Sequence, residues 1–186
     1  ILKNAELKIV RFNAEGLHYN LVADQVHKKR LTMVADPFDR DFLRYIIAGL
    51  LSFDMGRMMG RGPYALEGNS FASRLDRKLK CLGPKLKPLM EVRLVEIDLQ
   101  QHRGDIIEAF GVLSDNGDGA LNAIRAKSFA VGATKILHFL NPDLFIIVDS
   151  YASRALKRAH GRELRYISQP AHSADRYFEC MKRVQG

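Results

Sequence analysis

The sequence has little cysteine and no long apolar run, and each shortage excludes a class of protein. Its 186 residues include two cysteines, Cys81 and Cys180, which allow one disulfide at most and exclude a disulfide scaffold. They are also too few for an all-cysteine iron–sulfur cluster or a four-cysteine zinc site. The longest apolar runs, such as residues 46–51, are far too short to cross a bilayer. Because the start of the sequence has no secretory signal pattern, we expect a cytoplasmic protein without a membrane partner.

The motifs with which many enzymes hold a small molecule or a metal are also missing. The sequence contains no glycine-rich dinucleotide fingerprint and no serine in a glycine-flanked nucleophile elbow. Its six histidines have no close metal-ligand spacing. We therefore expect neither a bound metal nor a small-molecule cofactor.

Basic residues are abundant and unevenly distributed. The formal net charge is +8, which favours a polyanionic partner. Residues 57–93 contain nine Lys or Arg against three Asp or Glu, whereas residues 94–120 contain one against six. Residues 121–165 are basic again, with eight against three. This segregation predicts a basic face and an acidic back, and the alternative is an ordinary solvated surface.

The hydrophobic pattern predicts a mainly α fold. Asp36 and Pro37 are suited to cap and begin a helix that ends near residue 53. The predicted apolar face of this helix consists of Phe38, Phe42, Tyr45, Ile46 and Leu50. A basic helix is predicted over residues 70–82 and is expected to stop at the Gly-Pro pair that follows.

Shorter segments complete the predicted architecture. Helices are expected over residues 105–113 and 173–184, and residues 90–99 fit a helix or a strand, with the helix favoured. Before residue 30 the pattern allows a small β-hairpin over residues 7–21, although Leu21, Val22 and Val26 also have helical spacing. We expect one compact domain over residues 1–186, or sub-lobes over 1–83 and 84–186.

The C-terminal third predicts a helical hairpin followed by a capped helix. A first helix is expected over residues 120–127, and a second over residues 133–140, which Asn141 and Pro142 end. Residues 145–148 are expected to be extended and buried, and Asp149 to cap a helix over residues 150–160. Backbone N–H groups at the start of the second helix, from Gly132 to Lys135, would suit a phosphate.

Two stretches in this region resemble the helix-hairpin-helix DNA glycosylases. Residues 130–135 read AVGATK and are similar to the glycine-valine-glycine hairpin with its lysine. Residues 148–161 read VDSYASRALKRAHG and resemble the segment that follows that hairpin. The resemblance covers residues 121–161. Ala130 replaces the first glycine, and the interval from Lys135 to Asp149 is shorter than in the family by about one helical turn.

The resemblance implies a helix-hairpin-helix fold of two lobes around a cleft and names a set of site residues. Asp149 would stabilise a cationic sugar or activate the attacking group, and Lys135 would attack the sugar and form a Schiff base. The implied nucleic-acid contacts are Val131, Gly132, Thr134, Lys127, Arg154 and Arg158. The alternatives are that Asp149 is only a helix cap and that Lys135 is a surface lysine.

Three functions remain open at the level of the sequence. The first is DNA repair by a glycosylase or lyase that cleaves the N-glycosidic bond of a damaged or mismatched base in double-stranded DNA. The second is a nucleic-acid-binding protein that keeps the scaffold without the chemistry. The third is a helical interaction module whose basic charge is incidental.

Overall fold

Helices account for most of what the computed structural model describes, namely residues 24–30, 38–52, 71–115, 129–149, 152–153 and 170–186. Residues 24–30 are helical. The further elements are α1 (Arg40–Ser52), α2 (Phe71–Leu86), a 3₁₀ turn (Lys87–Leu89), α3 (Arg103–Ser114), α4 (Ala130–Leu140) and α5 (Pro170–Gln185). The mainly α prediction is therefore confirmed. The predicted β-hairpin over residues 7–21 and the helix over residues 120–127 lie outside the described residues.

Helix α1 begins later than predicted and turns one aromatic residue outward. Its first residue is Arg40, and the preceding Asp39 accepts a bond from the Leu43 N–H through its backbone oxygen at 3.0 Å. The cap is thus Asp39, whereas Asp36 and Pro37 lie outside the described residues. The buried residues of the helix are Phe42, Leu43, Ile46, Gly49 and Leu50. The prediction for Tyr45 is wrong, because Leu43 completes the buried face and Tyr45 is 38% exposed.

Helix α2 runs through the Gly-Pro pair that was expected to stop it and ends at Leu86. A proline inside a helix costs about 3 kcal/mol because one backbone hydrogen bond is lost. Leu86 continues the buried stripe of Leu75, Leu79 and Leu82, and burying a leucine contributes about 1.5–3 kcal/mol. Leu89 in the 3₁₀ turn adds a further buried side chain. Burial therefore outweighs the local stop signal, and residues 83 and 84 lie inside a helix.

The connection from residue 90 to residue 102 is neither a helix nor a strand but a series of turns, so the favoured helix is wrong. Its residues Met90, Leu94, Ile97 and Leu99 are nevertheless buried, although Val95 is exposed. Side chains from other elements bond the nearby carbonyl oxygens. The donors are Asn141 (to Leu89 and Val92), Gln185 (to Leu94 and Ile97) and Arg30 (to Met90). These distant donors satisfy carbonyls that a helix would have satisfied locally.

Helix α3 lies at the centre of the fold, where it packs against α2, α4 and α5, and α4 packs in turn against α1. The helix predicted over residues 105–113 is present as α3, where Ile106, Phe110 and Leu113 are buried and Ile107 is half-buried. The helix predicted over residues 173–184 is present as α5, whose Tyr177, Phe178 and Met181 are buried, and the Tyr177 ring stacks on that of Phe110 with centroids 4.7 Å apart. The buried apolar side chains form one cluster that extends from Val26 to Met181.

Candidate functional site

Helix α4 is buried on almost all sides, and it carries the predicted hairpin residues in its first turns. It ends at Leu140 as predicted but begins at Ala130, three residues earlier than expected. The N–H group of Ala133, predicted to be available to a phosphate, bonds the carbonyl oxygen of Phe129 at 2.9 Å. The helix extends this far because the Phe129 side chain is buried and meets Phe71 edge-to-face, with ring centroids 5.6 Å apart.

Gly132 lies against the Phe129 ring. A Cβ atom built on Gly132 would be 2.1 Å from Cζ of that ring, which is far inside van der Waals contact. The small size of Gly132 therefore serves packing between an aromatic ring and the helix backbone. Gly132 is buried, whereas the resemblance implied that it contacts a nucleic acid. Val131 beside it is half-buried.

Thr134 is fully buried and joins α4 to the segment over residues 145–148. Its hydroxyl donates to the carbonyl oxygen of Val131 at 2.9 Å and accepts a bond from the N–H of Val148 at 3.3 Å. A side chain with no exposed surface has no room for a phosphate, so the implied direct contact by Thr134 is not supported. Its observed role is to hold residues 145–148 on the helix.

Lys135 is 5% exposed, although it carries an amine. Burial lowers the pKa of this amine from its ordinary 10.5 to about 8, and the negative charge of Asp149 opposes part of that effect. Desolvation disfavours the charged form of a lysine. Lys135 is therefore not the surface lysine of the alternative interpretation.

Asp149 caps the helix that follows it. Its Oδ1 accepts the N–H of Ala152 at 2.8 Å, and its backbone oxygen accepts the N–H of Ser153 at 2.9 Å. Residues 152 and 153 are helical, as predicted. Residues 145–148 before the cap belong to neither a helix nor a strand, and Phe145 and Val148 are buried whereas Ile146 and Ile147 are half-buried. The positive end of the helix dipole favours a carboxylate at this position.

The bond between Thr134 and Val148 joins the residues immediately before Lys135 and Asp149. The two predicted catalytic residues are thereby brought close enough for the Asp149 charge to act on the Lys135 amine. The structure thus brings together an amine of lowered pKa and a carboxylate at a helix N-terminus. Lys127, Arg154 and Arg158, which the resemblance also implied, lie outside the described residues.

His138 lies on the same helix, one turn beyond Lys135. Its Nδ1–H donates to the carbonyl oxygen of Phe145 at 2.8 Å, and burial lowers its pKa. His138 is thus a half-buried histidine whose ring is engaged in a structural hydrogen bond. Among the described residues, no three His, Cys, Asp or Glu side chains are grouped so that they could hold a metal ion.

Two features could not be recognised from the sequence, one at the end of α4 and one on the outer face of α1. Asn141 was interpreted only as a helix end, yet its amide donates to the carbonyl oxygens of Leu89 and Val92 at 2.7 and 2.8 Å. Arg40 and Arg44 stand one helical turn apart on the outer face of α1. Their i, i+4 spacing was visible in the sequence, but the pairing of α1 with α2 was not.

Comparison with known proteins identifies no relative from which a function could be inferred. No protein-family model, curated protein or solved structure matches the chain. None of the helices that the structure describes is both long and apolar enough to cross a membrane. Lys135, Asp149 and the basic charge of the chain are therefore the features that bear on its function.

Proposed function

We propose that the protein is a nucleic-acid enzyme of the helix-hairpin-helix glycosylase or lyase type, with Lys135 as nucleophile and Asp149 as its carboxylate partner. The observation that carries the proposal is the buried amine of Lys135, whose pKa is lowered to about 8 beside Asp149. Perturbed titratable groups paired with a specific charge are typical of functional sites.

The lowered pKa matters because only the neutral amine has a lone pair with which to attack carbon. At pH 7 an amine of pKa 8 is roughly 10% neutral, whereas one of pKa 10.5 is roughly 0.03% neutral. Burial of Lys135 therefore increases the nucleophilic fraction roughly 300-fold. A lysine that served only to hold the fold together would gain nothing from this change.

The reaction follows from the two groups. The Lys135 amine attacks C1′ of the sugar, the bond from C1′ to the base breaks, and the base leaves with the electron pair and takes up a proton. Loss of a proton and opening of the sugar ring then give a Schiff base. Asp149 stabilises the positive charge that develops on the sugar, or accepts a proton from the attacking group.

The chain also has the charge of a nucleic-acid-binding protein. A net charge of +8 attracts phosphates and speeds association with them. Double-stranded DNA is the partner that the resemblance to glycosylases implies. The base would be flipped out of the duplex to bring C1′ to Lys135.

A second candidate, a nucleic-acid-binding protein without chemistry, is favoured by two contacts. Gly132 meets the Phe129 ring, and Asp149 caps the helix that follows it. Both residues thus have structural roles that require no substrate. This candidate retains salt-dependent nucleic-acid binding but forms no covalent adduct.

Borohydride trapping on duplex DNA with one abasic site tests the proposal. Borohydride reduces the Schiff base to a stable amine, so the wild-type protein is expected to form a covalent adduct and Lys135→Met to form none. Asp149→Asn keeps an oxygen that can cap the helix, and in a separate assay on duplex DNA that carries a damaged or mismatched base it is expected to slow base release at least about 100-fold. Lys80→Met, which removes an exposed lysine, is the matched control and keeps wild-type trapping.

The outcomes separate the candidates. An adduct that persists in Lys135→Met at a wild-type melting temperature would overturn Lys135 as the nucleophile. Binding that weakens steeply with salt but never yields an adduct or a released base would support the non-catalytic candidate. Binding that is absent even at low salt would leave the interaction module.

A further inference from the structure

The outer face of α1 carries a basic surface with an exposed aromatic ring, on the side opposite the core. Phe42 and Ile46 face inward and are fully buried, whereas Arg40 and Arg44 are exposed. Tyr45 is 38% exposed and is one of the few large apolar side chains that the described residues leave at the surface.

One part of this surface, called here the arginine groove, lies between α1 and α2. It encloses about 490 Å³. Its cationic walls are Arg40, Arg44 and Arg77, and its apolar floor includes Leu43 and Ile47. An arginine fork matches the two oxygens of a phosphate, so three arginines over an apolar floor suit a strand of alternating phosphates and flat groups.

The other part, called here the tyrosine cleft, shares Arg44 with the arginine groove. It encloses about 420 Å³ and is lined by Tyr45, Lys29 and Asp41. The Lys29 Nζ lies 5.9 Å from the centre of the Tyr45 ring. Arg44 thus lies between the two parts, so cations line both of them and an aromatic ring lines the tyrosine cleft.

The acidic residues that line the two parts are already paired with bases. Asp41 accepts a bond from Arg44 at 3.1 Å, and Asp76 accepts one from Lys80 at 2.9 Å. Arg40 and Arg77 form no ion pair within the part of the chain that the structure describes. The arginine groove therefore keeps two unneutralised guanidinium groups for a ligand.

We propose that the arginine groove and the tyrosine cleft bind single-stranded nucleic acid, with a base stacked on Tyr45 and phosphates on Arg40 and Arg77. An exposed aromatic ring beside a cationic groove is the arrangement with which proteins hold single strands. A duplex hides the faces of its bases and offers nothing for Tyr45 to stack on. An acidic peptide would use the arginines and leave the ring unused.

This surface does not depend on the chemistry proposed for Lys135, because it occupies the outer face of α1 while α4 packs on the inner face. The two proposals can therefore fail separately. Trapping on abasic duplex DNA reports on Lys135, and binding of a single strand without an abasic site reports on Tyr45.

Fluorescence anisotropy with labelled oligothymidylate and oligouridylate of about twelve nucleotides tests the proposal. Tyr45→Leu removes the ring but keeps an apolar side chain, and it is expected to weaken binding of both strands roughly 5- to 50-fold. Tyr45→Phe keeps the ring and is expected to bind within about twofold of the wild type. A difference between the two oligonucleotides distinguishes DNA from RNA as the ligand.

The arginines are tested by charge-matched double variants. Arg40→Gln with Arg77→Gln is expected to weaken binding about tenfold or more and to lower the slope of log affinity against log salt by about 1.4. Arg93→Gln with Lys182→Gln removes the same charge from exposed bases that pair with Glu96 and Glu179. This control is expected to stay within about threefold of the wild type.

The competing outcomes are distinct. Equal loss in both double variants with no effect of Tyr45→Leu would overturn the proposal and indicate non-specific attraction. Polyglutamate that binds as tightly as the single strand, or duplex DNA without an abasic site that loses as much affinity as the single strand in Tyr45→Leu, would also overturn it. Ultraviolet cross-linking of oligothymidylate to the wild-type protein gives a test without variants, and cross-links confined to peptides outside residues 24–52 and 71–86 would exclude the groove.

Discussion

Helix α4 carries a buried lysine near a carboxylate, and helix α2 carries a lysine near a carboxylate at the surface. The pKa values of the two amines are shifted in opposite directions. Lys85 on α2 donates to Glu108 at the surface, and this hydrogen bond raises its pKa. Lys135 on α4 is buried, and loss of solvent lowers its pKa to about 8 despite the charge of Asp149. The same residue type is thus a permanent cation in one region and a potential nucleophile in the other.

The degree of burial therefore determines the chemical role that a polar side chain can have in this protein. On the α1 and α2 surface, cations are solvated and suited to bind phosphates. On α4, by contrast, the polar side chains of Thr134 and His138 form hydrogen bonds with specific backbone oxygens. We expect substitutions on α4 to change stability and substitutions on the α1 and α2 surface to change binding, with larger effects at the buried positions.

Asn141→Ala should produce the largest effect on stability. It removes the two bonds to the carbonyl oxygens of Leu89 and Val92 and the bond from the N–H of Asp143, so we expect a loss of about 2–4 kcal/mol. Urea unfolding measures it. Glu96→Gln breaks an exposed pair with Arg93 and should cost less than about 0.5 kcal/mol. Equal losses of unfolding free energy in the two variants would contradict the proposed difference between buried and exposed polar groups.

The pH dependence of adduct formation distinguishes a buried nucleophile such as Lys135 from an ordinary exposed lysine. Because the neutral amine attacks, the rate of trapping with cyanoborohydride should rise roughly tenfold for each pH step below 8 and level off above it. Between pH 6 and pH 8 the total rise is about 50-fold, because half of the amine is neutral when the pH equals its pKa. An ordinary lysine would continue to gain rate beyond pH 10, and such a profile would contradict the burial of the nucleophile.

Lys135→Met should make the protein more stable at neutral pH. Because the pKa is lowered in the folded state from 10.5 to about 8, the unfolded state binds more protons between these values, and stability rises with pH there. Below pH 8 the buried charge is present, and its removal should stabilise the fold by about 1–3 kcal/mol.

This gain in Lys135→Met should disappear as the pH is raised from 8 towards 10.5. Urea unfolding of wild type and variant at both ends of this range measures the change. A variant that is less stable than the wild type at pH 7 would mean that Lys135 supports the fold. The case for a functional amine would then be lost.

Two glycines that differ in surroundings test packing in the buried region. Gly132→Ala places a Cβ 2.1 Å from the Phe129 ring, and we expect a loss of about 1–2 kcal/mol because that ring is itself buried. Gly111 in α3 has no such neighbour within 4 Å, so Gly111→Ala should stabilise by about 0.5–1 kcal/mol. Thermal melts that shift in the same direction would refute the close contact.

The smallest effect is expected at the surface. Asp41→Asn removes a carboxylate that pairs with Arg44 and lies in the first turn of α1, at a cost of about 0.5 kcal/mol. The freed Arg44 should tighten binding of single-stranded oligothymidylate about twofold. Anisotropy at low salt measures this gain, and weaker binding would argue against the arginine groove.

Local patterns predicted the helices and much of the core. The spacing of Phe42, Ile46 and Leu50 identified a buried face that the structure confirms, and the helices predicted over residues 70–82, 105–113 and 173–184 are present with shifted ends. The end of α4 at Leu140 and the cap at Asp149 also followed from residue type. Each of these features depends on neighbours within one or two helical turns.

The predictions that proved wrong concern residues whose partners are distant in sequence. Residues 90–102 form turns because Asn141, Gln185 and Arg30 supply hydrogen bonds from other elements. Helix α2 continues through Pro84 because Leu86 is needed in the core. The α1 and α2 groove was not predicted, because nothing in either helix alone specifies their pairing.

From the sequence alone one could predict most of the described helices, the apolar face of α1 apart from Tyr45, and the basic charge of the chain. Only the tertiary structure decided that Lys135 is buried near Asp149 while Arg40 and Arg77 stay in water. The physical reason is that periodicity and capping act within a few residues, whereas desolvation depends on which segments pack together. The chemistry of a charged side chain is therefore set by the fold around it.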